Sequence, residues 1–546
     1  MSSDASPVET PATPPAPEGG GGLSEQAQQI QQGYSFEEEG ITVGVLMEDD
    51  TPRPEVKIRI PLSMLNRHGL IAGATGTGKT KTLQVLTEQI SAAGVPVVAA
   101  DVKGDLSGLA TPGEANDKLT ARTTKIGQDW QPNGFPCEFY ALGGNGTGVP
   151  LRATVSSFGP VLLSKVLGLN DTQESSLGLV FHYADTAGLP LLDLSDLQSL
   201  LQFLTGDEGK GELKNIGGLS TATAGVILRQ VTTFAAQGAD QFFGEPEFDT
   251  ADLMRLAPDG RGIVSLIELP NLASQPALFS TFLMWLLADL FHDLPEVGDS
   301  DKPKLVFFFD EAHLLFADAS KAFLDSITQT VRLIRSKGIG VFFVTQTPKD
   351  VPDDVLAQLG SRVQHQLRAH TPNDAKALKA TVQTFPTSAY DLAEALQTLG
   401  IGEGIVTVMD PDGAPTPVAW TRMLAPESLM APTPAEAMTA AVSASPLQAK
   451  YGEAIDRESA REMLAKRLEA GAATAAKEQE VADAAGQPAP GHGTPHRGGG
   501  GGKKDEDGNL IGDFIEGVSK NTMVRQLGRT ALREVMRGIF GTGRRR

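Results

Sequence analysis

The stretch Gly73-Ala74-Thr75-Gly76-Thr77-Gly78-Lys79-Thr80 decides the fold of this chain. It matches the phosphate-binding pattern G-x-x-x-x-G-K-[ST] at every fixed position. Residues 68–72 precede it as an apolar run that predicts a buried strand, and residues 81–90 follow with apolar side chains at helical spacing. A strand, a glycine loop and a helix in this order wrap backbone N–H groups around phosphates at a helix N-terminus. The stretch therefore predicts a site for a nucleoside triphosphate.

Individual roles follow from the pattern. Lys79 is expected to reach the β- and γ-phosphates, and the Thr80 hydroxyl is expected to hold Mg²⁺. ATP and Mg²⁺ are thus the predicted cofactors. The predicted nucleotide-binding residues are Gly73, Ala74, Thr75, Gly76, Thr77, Gly78, Lys79, Thr80 and Lys81.

A second motif supplies two acids. Residues 304–309 form an apolar strand pattern that ends in Asp310 and Glu311. A carboxylate at a strand tip beside a phosphate loop suits Mg²⁺, and we assign this role to Asp310. Glu311 suits the polarisation of a water molecule near the γ-phosphate. The alternative is a strand that simply ends in surface acids, but beside the phosphate loop the pair favours a hydrolase.

Polar residues end two other predicted strands. Gln346 follows residues 338–345 and suits a sensor of the γ-phosphate or of the attacking water. Asp101 follows residues 95–100, and loops at the carboxyl ends of parallel strands face the ligand. Asp101 could help the metal or the water, or could belong to an ordinary turn.

Two arginines are candidates for transition-state stabilisation. We find one phosphate loop and no second motor core, so an arginine finger would come from a neighbouring subunit. Arg362 is the first candidate and Arg368 the second. Surface arginines with no catalytic role are the alternative for both.

From residue 70 to about 423, the sequence pattern predicts strands that alternate with helices. This pattern predicts an α/β fold with a parallel sheet and helices on both faces. We expect a disordered leader over 1–34, an ATPase domain over 35–425 with a helical insertion at about 115–255, a charged helix and low-complexity linker over 426–519, and a basic amphipathic helix over 520–546. The predicted strands of the sheet are 70–72, 95–100, 262–269, 305–309, 339–345 and 404–409.

Composition limits the class of protein. The net charge is −21, which argues against indiscriminate binding of nucleic acid. A single cysteine, Cys137, leaves no internal disulfide and fits a reducing compartment. We see no secretory signal, and the most apolar stretch, 277–291, is too short to cross a bilayer and predicts a buried helix. We expect a cytoplasmic protein without an integral membrane segment.

The C-terminus carries the opposite charge. Residues 519–546 contain eight Lys and Arg and one acid, and Arg525, Arg529, Arg533 and Arg537 recur at four-residue spacing. Such a helix could bind phosphate backbones, an acidic protein partner or a membrane surface. Docking on the acidic body of the chain, or on another subunit, explains it equally well.

These motifs together resemble the HerA/FtsK group of motor ATPases, and more narrowly a bacterial HerA-like family. The residues that carry the resemblance are 61–73 leading into the phosphate loop, 310–314, 345–352, 359–364 and 525–538. The resemblance implies a RecA-like ASCE P-loop core, a hexameric ring with ATP sites between subunits, and ATP-driven movement on double-stranded DNA.

Three functions stay open on the sequence alone. The first is a DNA translocase or helicase, with Lys103, Lys337 and Lys349 as candidates to line a pore. The second is an ATPase that remodels or moves a protein partner. The third is an oligomeric scaffold that uses ATP to fix its assembly state.

Overall fold

A computed structural model describes residues 22–484, except 215–216, 270–275, 299 and 317–320. The predicted leader as far as residue 21 lies outside the described residues. The predicted segments beyond residue 484, including the basic helix over 520–546, also lie outside them.

A single mixed sheet organises the described part of the chain. Its strands are β1 (Gly40–Glu48), β2 (Thr51–Pro61), β3 (Gly69–Ala72), β4 (Val97–Asp101), β5 (Cys137–Leu142), β6 (Val149–Leu151), β7 (Val264–Glu268), β8 (Leu305–Phe309), β9 (Ile339–Thr345), β10 (Ser361–Gln364), β11 (Glu403–Thr407) and β12 (Ala419–Met423). Their order in the sheet is β2-β1-β12-β11-β10-β3-β9-β8-β4-β7-β5-β6.

Helices cover both faces of this sheet. They are α1 (Glu25–Gly33), α2 (Lys79–Ala92), α3 (Asp117–Lys125), α4 (Val155–Val166), α5 (Asp171–Thr186), α6 (Leu194–Thr205), α7 (Thr221–Ala236), α8 (Pro276–Asp293), α9 (His313–Phe316), α10 (Lys321–Ile334), α11 (Asp353–Leu356), α12 (Pro372–Val382), α13 (Leu392–Thr398), α14 (Ala435–Ala444), α15 (Pro446–Tyr451) and α16 (Ala460–Ala484).

The strands from β10 to β6 are all parallel. Each side of this block carries its own core, so Phe307 of β8 packs on one face and Phe308 on the other. Helix α2 covers one face, whereas α8 and α10 cover the other. Strands that are buried on both faces are continuous apolar runs in the sequence, which is why these strands could be predicted. The predicted α/β fold with helices on both faces is confirmed.

An antiparallel extension continues the sheet beyond β10. It contains β11, β12, β1 and β2. Asp49 and Asp50 join β1 to β2 with φ values of 46° and 59°, the left-handed pair that a tight hairpin requires. This extension was not predicted as part of the sheet, apart from β11.

The predicted helical insertion is only partly helical. Strands β5 and β6 lie inside the range 115–255 and lengthen the parallel block next to β7. A charged residue inside a buried strand hid β5, because Glu138 pairs with Arg255 at 2.6 Å. Helices α4 to α7 follow and pack their apolar faces into the larger core.

Two predicted boundaries also change. The leader predicted over 1–34 ends too late, because α1 is capped by Ser24 and buries Ala27 and Ile30. The charged helix expected within 426–519 is interrupted, since α15 ends at Tyr451 and α16 begins at Ala460.

Helix α8 matches the buried helix predicted at 277–291. Its described side chains from Thr281 to Leu290 are almost all buried in the larger core. Among the described helices, none combines the length and apolar character that a membrane crossing needs.

Candidate active site

The phosphate loop connects β3 to α2 as the sequence predicts. Gly76 and Gly78 have φ values of 82° and 118°, which residues with a Cβ atom rarely adopt. Gly73 is required by close approach, since a Cβ there would lie 2.5 Å from the Cβ of His365. The fixed glycines of the pattern therefore shape the loop.

Backbone hydrogen bonds hold the loop from both sides. The N–H of Gly73 donates to the Thr345 carbonyl at the end of β9 (3.2 Å). On the other side, the N–H of Ala74 donates to the Gln366 carbonyl (2.8 Å), and the N–H of Gly402 donates to the Thr77 carbonyl (2.9 Å). The loop is thus pre-formed between β9 on one side and the segments that follow β10 and precede β11 on the other. For Thr77, the side-chain hydroxyl also donates to the Ala74 carbonyl (2.7 Å).

Lys79 extends back over this loop. Its ammonium donates to the carbonyl oxygens of Gly73 (2.6 Å) and Ala74 (3.2 Å). Burial lowers the pKa of Lys79, and the nearby charge of Glu311 opposes that shift. The cation therefore lies at the mouth of the loop, within electrostatic reach of the acids at the end of β8.

Asp310 and Glu311 follow β8 at the same edge of the sheet. One strand, β9, separates β8 from β3. Asp310 is buried, and its Oδ1 accepts the N–H of Glu311 at 2.8 Å. Burial, and then the charge of Glu311, raise the pKa of Asp310 to about 7. Both predicted acids thus lie on the loop side of the fold.

Glu311 has a cationic partner that the sequence did not predict. Its Oε1 lies 2.6 Å from the ammonium of Lys103, which follows β4. Burial alone would raise the pKa of Glu311, but the hydrogen bond and charge of Lys103 outweigh it and hold the pKa below its usual value. Lys103 is therefore paired in the active site.

Lys337 and Lys349, the other two lysines predicted to line a pore, do not share a surface. Lys337 precedes β9 and lies over the Phe291 ring at 5.3 Å, whereas Lys349 follows β9. A seven-residue strand is about 20 Å long, so the two residues lie at opposite edges of the sheet.

Asp101 has a structural role in its loop. Its Oδ1 accepts the N–H of Gly104 (2.6 Å), and its Oδ2 accepts those of Leu106 (2.8 Å) and Ser107 (3.2 Å). Burial raises its pKa to about 6. Because both carboxylate oxygens are used by the backbone, Asp101 shapes the loop that carries Lys103. Of our two interpretations, the turn residue is the one that the structure favours.

Gln346 comes directly after β9, the strand between the phosphate loop and the two acids. Thr345, its neighbour, pairs in register with Ala72 at the start of the loop. The Gln346 side chain is exposed. The position agrees with a sensor role, which stays a prediction.

The two arginines have different positions. Arg362 lies within β10, where no strand was predicted, and it donates to the Thr384 hydroxyl at 2.6 Å. Arg368 is exposed and extends toward the phosphate loop of its own chain, with Nη2 3.4 Å from the Thr75 carbonyl. Of the two predicted arginines, Arg368 is the one next to the loop.

The side chain of Lys81 turns away from the loop, and its role in nucleotide binding stays a prediction. Its ammonium donates to the Met430 carbonyl (2.8 Å) and to Gln84 Oε1 (3.1 Å). It therefore fastens the segment after β12 to α2. Thr80, the predicted magnesium ligand, lies at the start of α2 and is half-buried.

His365 is a positioning residue that the sequence analysis missed. The ring is fully buried, with Nδ1 2.7 Å from the Glu403 carbonyl and Nε2 2.9 Å from the Thr82 hydroxyl. A carbonyl can only accept, so Nδ1 carries the proton and Nε2 accepts from Thr82. One imidazole therefore links the loop, α2 and β11.

The fold and the loop define the class of this protein. A glycine loop follows one parallel strand, acids end a second strand, and a third strand lies between them. This is a P-loop nucleoside triphosphatase core.

The chain belongs to the HerA-like helicase family. The family model described as "Helicase HerA-like C-terminal" matches residues 46–546. Among curated relatives, the chain is 22% identical over 356 residues to the DNA double-strand break repair helicase HerA of Saccharolobus solfataricus, covering 64% of this chain and 63% of that protein. It is also 22% identical over 376 residues to the HerA helicase of Sulfurisphaera tokodaii, covering 68% and 67%.

Two solved structures are also similar. The conjugative coupling protein TrwBdeltaN70 has a TM-score of 0.49 and 15% identity, and the match covers 75% of this chain and 95% of that chain. VirB4 of Thermoanaerobacter pseudethanolicus has a TM-score of 0.45 and 14% identity, covering 71% and 97%.

Proposed function

We propose that this chain is the subunit of a ring-shaped motor, a hexamer by resemblance, that hydrolyses ATP to move on double-stranded DNA. The observation that carries the proposal is that the phosphate loop and the Asp310-Glu311 pair lie one strand apart at the same edge of the sheet. Membership of the HerA-like family supports ATP hydrolysis, and the names of the two relatives support DNA as the substrate.

The residues present fit Mg²⁺. A Thr80 hydroxyl and an Asp310 carboxylate are the hard oxygen donors that Mg²⁺ takes together with phosphate oxygens. A divalent cation next to Asp310 favours its ionised form and so opposes the effect of burial on its pKa. When bound, the ion neutralises charge on the phosphates during transfer.

Hydrolysis then depends on three further side chains. Lys79 binds the β- and γ-phosphates, for which it gives up its contacts with the loop carbonyls. Glu311 accepts a proton from the attacking water. Gln346 senses the γ-phosphate from the end of β9.

An arginine from a neighbouring subunit completes the site in this proposal. Arg362 and Arg368 stay the candidates. Arg368 is exposed beside the phosphate loop of its own chain, and Arg362 is held by Thr384 in its own chain.

A second candidate function is an ATPase that moves a protein partner. The net charge of −21 favours it, because an acidic surface repels the phosphate backbone of DNA. A ring could still attract DNA through a few local cations.

Steady-state ATP turnover with and without linear double-stranded DNA tests the proposal. We expect DNA to raise turnover several-fold, with an effect that weakens as salt increases. Lys79→Ala is the control, and it should lose turnover under both conditions. If DNA does not change ATP turnover but a protein partner raises it, the result would support the second candidate function.

A further inference from the structure

Glu311 is held in a strained backbone conformation. Its φ is 47°, in the left-handed region that a residue with a Cβ atom adopts only when its surroundings enforce it. Its N–H donates to Asp310 Oδ1, and the whole residue is 8% exposed. A glutamate that only ended a strand would need neither feature.

The two carboxylate oxygens of Glu311 have different surroundings. Oε1 accepts a hydrogen bond from the Lys103 ammonium at 2.6 Å. Oε2 is buried and accepts no hydrogen bond from the residues that the structure describes. The Nδ1 atom of His313 lies 3.3 Å from Oε2 and forms an ion pair with it only when the imidazole is protonated. One oxygen is therefore engaged and the other is available.

Lys103 reaches this position from a loop of fixed shape. Strand β4 pairs with β8, and the loop after β4 is closed by the three backbone hydrogen bonds that Asp101 accepts. The Lys103 side chain is 51% exposed, so the apolar core does not depend on it. The residue can be changed without opening a cavity.

We propose that Lys103 is a positioning residue that binds Glu311 Oε1 and so leaves Oε2 to accept the proton of the attacking water. The inference rests on the proposed hydrolysis of ATP. In that step the water oxygen bonds to the γ-phosphorus and passes its proton to Oε2. The bond from the γ-phosphorus to the β–γ bridging oxygen breaks, and ADP leaves with the electron pair.

The first test compares Lys103→Met with Lys103→Arg. We expect Lys103→Met to lower kcat about 100-fold, the scale of a misplaced general base, and to change the Kd for a non-hydrolysable ATP analogue less than about 3-fold. Lys103→Arg keeps the positive charge, and its kcat should be about tenfold higher than that of Lys103→Met. Lys477→Met is the matched control and should keep wild-type turnover, because this lysine is exposed on α16, a helix that carries no residue of the proposed site.

A double-mutant cycle with Glu311→Gln provides the second test. Gln at position 311 has no negative charge to pair with Lys103. In the Glu311→Gln background, Lys103→Met should therefore lower kcat less than about 2-fold. Wild-type kcat in Lys103→Met overturns the inference. So does weakened analogue binding that accounts for the whole loss, since Lys103 would then contact the phosphates directly. If Glu311→Gln itself keeps wild-type turnover, the proposed hydrolytic site fails instead.

Discussion

At the scale of single residues, the imidazole of His365 determines how the phosphate loop is held. It touches Gly73 through its Cβ, accepts a hydrogen bond from Thr82 and donates one to the Glu403 carbonyl. Burial lowers the pKa of His365 to about 4, so the ring is neutral in the folded protein at physiological pH. The neutral form is the one whose two nitrogens match an acceptor and a donor.

This neutral histidine predicts acid sensitivity. Between its ordinary pKa of 6.5 and its folded pKa of about 4, the unfolded chain takes up a proton that the folded chain does not. The free energy of unfolding should therefore fall as pH falls through this window. Between pH 7 and pH 4, the free energy of unfolding of the wild type should fall by about 2–3 kcal/mol more than that of His365→Gln, as measured by urea unfolding.

The comparison of variant with wild type cancels the other titrating groups. His370→Gln changes an exposed histidine and is the matched control, which should follow the wild type. Equal pH dependence in the wild type and His365→Gln would show that His365 is not the group responsible.

The positions of candidate site residues could be predicted from sequence where they depend on contiguous motifs, and their roles stay predictions. Lys79 lies in its motif, and Asp310 and Glu311 directly end their strand, so local spacing identified all three. The partners of Lys103 and His365 lie 208 and 283 residues away along the chain, and no local pattern records such pairs. The role given to Lys81 stays a prediction, although its side chain turns toward a distant segment.

At the scale of elements, the segment 426–433 is fastened along α2. Glu88 accepts hydrogen bonds from the N–H groups of Glu427 and Ser428, both at 3.0 Å. Gln84 donates to the Leu429 carbonyl at 2.9 Å. Composition placed this segment in a linker, whereas the structure attaches it to the helix that begins at the phosphate loop.

Loss of the Glu88 carboxylate should loosen this attachment. Glu88→Ala leaves the two N–H groups without their acceptor in a mostly buried place, and we expect a loss of about 2–3 kcal/mol in the free energy of unfolding. Urea unfolding at pH 8 measures it. Glu436→Ala removes an exposed glutamate of α14 and should change the same quantity by less than about 0.5 kcal/mol. A Glu88→Ala protein as stable as the control would show that the contacts are dispensable.

Two of the strands that were missed, β6 and β10, share a physical reason. β10 has four residues, including an arginine and a glutamine, and β6 has three. Such short strands have little apolar pattern of their own and form because neighbouring strands offer free backbone edges. Strands β8 and β9 were predicted because each is continuously apolar and buried on both faces.

At the scale of the whole molecule, distant segments converge on one edge of the sheet. The loop after β3, the acids after β8, Gln346 after β9 and Lys103 after β4 all lie at the carboxyl ends of parallel strands. Parallel topology brings these ends together, so residues from four strands can act on one ligand. We propose that this edge of the sheet hydrolyses ATP with Glu311 as the general base.

Glu311→Gln tests that claim most directly, with ATP binding and ATP turnover measured on the same preparation. The amide keeps the size of the side chain but cannot accept the proton of water. We expect wild-type affinity for ATP and a kcat at least about 100-fold lower. A variant that binds ATP and turns it over at the wild-type rate would show that Glu311 is not the general base.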